Sequence, residues 1–115
     1  MKLNSRDQII RMVDLFYAKV KADELLAPVF AHVDWPHHLP VMYNFWCSMI
    51  LGEMSYRGNP FEKHVHLSLT SAHFDRWLKL FYENMDEHFT GEEALEAKNR
   101  AANIASVWRF KMNLS

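Results

Sequence analysis

The chain has 115 residues and a formal net charge of -1, and half of it is apolar. That length buries one core without disulfides, and the lone Cys47 cannot form one internally. Scarce Gly and Pro disfavour disorder and turn-rich β folds, scattered Lys and Arg leave no basic stripe for nucleic acid, and no apolar run approaches the ~20 residues of a membrane span.

Ser5-Arg-Asp-Gln8 reads as a helix start in which Ser5 caps and Gln8 reaches back. The helix behind it carries Ile9, Val13, Phe16, Tyr17 and Val20 at helical spacing, with Arg11, Asp14, Lys19 and Lys21 on its outer face. A short turn from Asp23 to Leu26 leads through Pro28 to an isolated aromatic, Phe30. Asp34 is placed to cap the next helix. Pro36 and Pro40 predict an irregular beginning, with regular helix from about Leu39 to Leu51 and Gly52 as its left-handed stop.

Asn59-Pro60 predicts a short helix over 61–67. After a connector, Thr70 or Ser71 caps a helix whose apolar face is Phe74, Trp77, Leu78, Phe81 and Met85. Thr90-Gly-Glu-Glu93 repeats the capping pattern before an alanine-rich helix presenting Ala94, Ala97, Ala101, Ile104, Ala105 and Trp108. The reading is one all-α domain over residues 1–115, with four main helices plus short ones.

Four of the seven histidines fall between Trp35 and His66, around the apolar stripe Met42, Phe45, Trp46, Met49 and Ile50. His64 and His66 are two residues apart, so on a helix they diverge by about 200° and cannot share one metal ion. Adjacent His37 and His38 diverge too. His38 lies one turn before Met42, on the same stripe as Trp46. His32, His37, His73 and His88 read as surface or satisfied core residues. Converging His and carboxylate ligands, as non-haem iron or zinc requires, are absent from the pattern. A single strong histidine with many large aromatics suits haem, whose porphyrin supplies the other four nitrogens. Periodicity alone also allows the stripes to be plain core.

Eight ordered pieces carry a resemblance: Phe16-Tyr17-x-x-Val20, Leu26-x-Pro28-x-Phe30, Trp35-x-x-His38, Asn44-Phe45-Trp46, Leu51-Gly52, Tyr56-x-Gly58-x-Pro60-x-x-x-His64, His73-Phe74-x-x-Trp77-Leu78 and Ile104-Ala105. Together they resemble the group III truncated haemoglobins of bacteria. The adjacent glycines typical of groups I and II are missing. The resemblance implies a shortened globin fold, two helices over two, around haem b. It implies His64 as the proximal iron ligand. Tyr17, Trp77 and His38 then stand on the distal side. Phe16, Phe30, Met42, Phe45, Trp46, Trp77 and Phe81 are the expected cofactor contacts. Tyr56, Arg57 and Lys63 are candidates for the propionates.

No C-x-x-C-H motif is present, so the haem is expected to be held without covalent attachment. The expected partners are O₂, NO and CO. Two distal donors imply slow O₂ release, poor for transport and better for sensing, scavenging or redox chemistry. Alternative readings are a nitric oxide dioxygenase or peroxidase-like enzyme served by an external reductase, and a helical interaction module without haem. The N-terminus carries no signal-peptide pattern, and a reducing cytoplasm is the expected compartment, without membrane or nucleic-acid partners.

Overall fold

The structure is a computed structural model that describes residues 2–54, 56 and 69–112. Among these residues the chain forms four helices: α1 (Arg6–Ala22), α2 (Trp35–Leu51), α3 (Ser71–His88) and α4 (Glu92–Lys111). Here α1 packs on α2 and α3, while α4 packs on α3 and α2. This is the two-over-two arrangement of helices that the resemblance implies. The predicted short helix over 61–67 lies outside the described residues. No helix among the described residues is long and apolar enough to cross a membrane.

In α1, Ser5 caps as predicted, its hydroxyl accepting from the Gln8 N–H at 3.3 Å. The reciprocal half of the box is not made, because the Gln8 Oε1 is buried without a hydrogen-bond partner. The apolar stripe is completed by Met12, so Ile9, Met12, Val13, Phe16, Tyr17 and Val20 all turn inward. Asn84 of α3 is fully buried and donates its amide to the Met12 carbonyl at 3.0 Å, which fixes α3 against α1.

The structure corrects the start of α2, which is helical from Trp35 rather than from Leu39. Pro36 sits in the first turn, where backbone N–H groups lack helical partners anyway. Pro40 lies inside the helix and forfeits one backbone bond without ending it. Asp34 holds the cap position but makes no side-chain cap bond; its carbonyl accepts from the His38 N–H at 2.8 Å. Gly52 ends α2 in the left-handed region, with φ at 72°. Open space surrounds the position of an added Cβ, so strain alone decides a substitution there. Gly52→Ala is expected to lower stability by about 1 kcal/mol, read from chemical denaturation of the wild type and variant.

A second correction concerns the start of α4. Thr90 does not cap it; Gly91 holds the cap position, with φ at 97°. Thr90 instead forms an isolated bridge with Lys2. Glu92 and Glu93 fill the first turn, where carboxylates favour the positive end of the helix dipole. The start of α3 is as predicted, with Thr70 at its cap position, but the residue reaching back is His73. Its Nδ1 accepts from the Thr70 backbone N–H at 2.9 Å.

Candidate haem pocket

Among the described residues the helices line a largely apolar pocket that opens to solvent. Each helix contributes because its stripe turns inward there. From α1 comes Tyr17, and from the α1–α2 connection come Leu26 and Phe30. Met42, Phe45 and Trp46 descend from α2, one turn or less apart. Phe74 and Trp77 come from α3, and Ile104, Ala105 and Trp108 from α4. Leu69 and His73 line it at the beginning of α3.

Of the expected cofactor contacts, Phe30, Met42, Phe45, Trp46 and Trp77 thus line this space. Phe16 and Phe81 stand behind the wall. Phe81 is fully buried and stacks on Trp46 at 5.1 Å and on Trp77 at 5.7 Å between ring centroids. Phe16 meets Trp77 edge-on at 5.5 Å and Phe81 at 5.1 Å. Their work is to hold the rings that face the pocket. His64 lies outside the described residues, as do His66, Arg57 and Lys63.

Tyr17 is the principal polar group of the pocket, and only 5 % exposed. Its ring is caged by Phe16 at 4.9 Å, Trp35 at 5.2 Å, His38 at 6.0 Å and Phe30 at 6.5 Å. Burial pushes its hydroxyl far above the ordinary tyrosine value, and the neighbouring Trp77 indole offsets this only in part. Tyr17 therefore keeps its proton throughout the physiological range. Trp77 stands on the same cavity wall and has only an N–H to give.

His38 is half-buried, its ring edge-on to Tyr17 and 5.7 Å from that of Trp35. It stands beside the donor pair, behind the residues that line the cavity. On the other side, Tyr56 lies edge-on to Phe45 at 5.3 Å, and its N–H donates to the Ser48 hydroxyl at 3.0 Å. Burial raises the Tyr56 hydroxyl as well, and that hydroxyl has no hydrogen-bond partner among the described residues. A buried phenol of this kind is a donor in want of an acceptor.

Sequence reasoning left several lining residues unassigned. Phe74, Ile104 and Trp108 are members of apolar stripes and Leu26 ends a short turn, but neither pattern says which residues border a cavity. His73 was read as a bystander. Its position three residues after a capping threonine was the available signal, since a ring nitrogen can replace the glutamate of a capping box. With Nδ1 accepting, the proton of the neutral ring sits on Nε2.

Four helices in this order, around a deep aromatic pocket with a buried tyrosine–tryptophan pair, define a globin of the truncated kind. Comparison with known proteins agrees. Residues 2–114 match the family model described as bacterial-like globin. The group 3 truncated hemoglobin ctb of Campylobacter jejuni is 34% identical over 109 residues, spanning 89% of this chain and 86% of its own. The group 1 truncated hemoglobin GlbN of Nostoc commune is 30% identical over 110 residues, spanning 95% and 89%. The crystal structure of the group III truncated hemoglobin from Campylobacter jejuni superposes with a TM-score of 0.86 at 33% identity, covering 97% of this chain and 95% of that one. The chain belongs to the bacterial-like globins, as a group III truncated haemoglobin.

Proposed function

We propose that the chain binds haem b without a covalent bond and uses it to hold O₂, NO or CO. The globin family implies a haem cofactor and a small-ligand role. The residues present fit that group. The pocket lining is aromatic and aliphatic apart from Tyr17, His73 and the indole edges, as a flat apolar cofactor needs. Tyr56 supplies a buried donor beside Phe45, suited to a propionate carboxylate. When bound, haem would supply an iron that takes one protein ligand and binds a small diatomic molecule.

His64 is the proposed protein ligand, on the resemblance of Tyr56-x-Gly58-x-Pro60-x-x-x-His64 to the family's pattern. Tyr17 and Trp77 face the opposite task. The single observation that carries this reading is their placement: a buried, protonated phenol and an indole N–H on the wall of one apolar cavity. A donor held there stabilises a ligand atom that gathers negative charge, and low surrounding polarity strengthens the bond. His38 packs against both Tyr17 and Trp35 and limits the freedom of the Tyr17 ring.

The test is an ultraviolet–visible spectrum of the purified protein after adding haemin, in ferric, ferrous and carbon-monoxide forms. A shifted, intense Soret band at one equivalent is expected, with the ferrous form showing five-coordinate histidine ligation. His64→Ala is expected to abolish that ferrous signature. Absence of any Soret shift in the wild type would leave the chain as a helical module whose aromatic stripes are only core.

A further inference from the structure

Asp23 follows α1 directly and begins the connection to α2. Its Oδ2 accepts from the Leu25 N–H at 3.0 Å and from the Leu26 N–H at 2.9 Å. Its Oδ1 accepts from the Arg76 Nη1 of α3 at 2.6 Å. The Asp23 side chain is only 9% exposed, against 34% for Arg76. Burial by itself would raise this carboxyl. The hydrogen bonds from Arg76 and from the two amides, with the Arg76 charge, outweigh burial and hold it below the ordinary carboxylate range. An exposed ion pair contributes little. This one differs because every bond to the carboxylate is charge-assisted and the acceptor is sheltered.

What the pair joins gives it a role. On one side is the connection that carries Leu26 and Phe30 to the pocket, where Phe30 leans edge-on against Tyr17. Below it, the Ala27 N–H donates to the Asp23 carbonyl at 2.8 Å, so the turn is wound tightly onto the same residue. On the other side, Arg76 is the residue immediately before Trp77, which lines the pocket together with Tyr17. Release of the pair frees both supports of the donor couple: the ring that props Tyr17 and the segment of α3 that aims Trp77.

We propose that Asp23 and Arg76 are positioning residues that hold the Tyr17–Trp77 donor pair in register, so that an ion pair at the rim sets how fast the pocket releases its ligand. This rests on the haem-binding reading above. Neither residue lines the pocket, so neither touches cofactor or ligand.

The test compares Arg76→Gln, Asp23→Asn and Arg76→Lys with the wild type after reconstitution with haemin. Arg76→Gln and Asp23→Asn are expected to release O₂ roughly fivefold faster, the scale of coupling between residues in one network. The stretching band of bound carbon monoxide should broaden and move to higher frequency, as expected when a distal donor loses its aim. Arg76→Lys keeps the charge and one donor, and should stay within about twofold of the wild type. A lowered melting temperature with unchanged O₂ release and an unchanged carbon-monoxide band would mean a structural role only and would overturn the proposal. A second readout needs no haem. Near-ultraviolet circular dichroism of the haem-free chain should lose tyrosine and tryptophan intensity in Arg76→Gln; an unaltered spectrum there would also overturn it. Failure of the wild type to take up haemin would instead strike the proposed function, leaving the dichroism result to judge the latch.

Discussion

On the proposed function, Tyr17→Phe is expected to release O₂ roughly 5- to 150-fold faster than the wild type, because one donor to a charge-gathering ligand, worth about 1–3 kcal/mol, is lost. Carbon monoxide, a poorer hydrogen-bond acceptor, should leave at nearly the wild-type rate. Stopped-flow displacement measures both. Trp77 keeps its N–H in the variant. Changes at Tyr17 and Trp77 are expected not to add: a Tyr17→Phe/Trp77→Phe cycle should show a coupling, since both donors border the same space. Burial raises the Tyr17 hydroxyl, so the donor form persists as pH rises. Its proton is present on both sides of neutrality, and between about pH 6 and 9 Tyr17 should add no pH dependence to the release rate. An O₂ release rate unchanged in Tyr17→Phe would remove this residue from the site.

The second large effect is expected at a residue that the pocket never sees. Phe81 is fully buried and touches Phe16 of α1, Trp46 of α2 and Trp77 of its own helix. It is the ring through which three helices meet. Phe81→Ala leaves a cavity that rigid aromatic neighbours fill poorly, at a cost of about 3–5 kcal/mol. For a domain of this size that corresponds to a fall in melting temperature of about 10–25 °C. The measurement belongs on the haem-free chain, because a bound cofactor adds stability by mass action and would mask part of the loss. A fall of less than about 5 °C would show that the aromatic cluster relaxes around the gap. Trp46 and Trp77 both lean on Phe81, so haem retention is expected to weaken in the same variant.

These two predictions separate what the rings do. Tyr17 and Phe81 are both inward members of a helical stripe, four or fewer positions from other large aromatics. In the folded protein one presents a donor to a cavity and the other braces the wall behind it. Helical periodicity reports the direction in which a side chain leaves its helix. It does not report how far away the opposing surface stands, and that distance decides whether a ring is packed or borders a space. Phe16 and Phe81 were indistinguishable from Phe45 and Trp46 for this reason.

Local chemistry was legible where it is local. The capping role of Ser5, the left-handed stop at Gly52 and the stripes of α1 and α3 depend on residues within a turn of one another, and the structure bears them out. Where distant groups compete, local rules lost. Thr90 has a capping residue's chemistry, but its backbone pairs with Lys2, and Gly91 takes the cap position. Pro40 has a helix breaker's chemistry, yet α2 runs through it, as burial of Met42, Trp46 and Cys47 offsets one missing bond. The Asp23–Arg76 pair joins residues 53 apart in sequence, and nothing in either neighbourhood announces it.

The same division holds for the stretch from Trp35 to Trp46. The sequence by itself determined that it is helical from about Leu39, aromatic on one face and flanked by histidine. Only the tertiary structure decided that Met42, Phe45 and Trp46 face a shared space with Tyr17 and Trp77, and that His38 packs beside Tyr17. The physical reason is that stripes arise from one helix, whereas a cavity belongs to the gap between several, set by the volumes of side chains far apart in the chain.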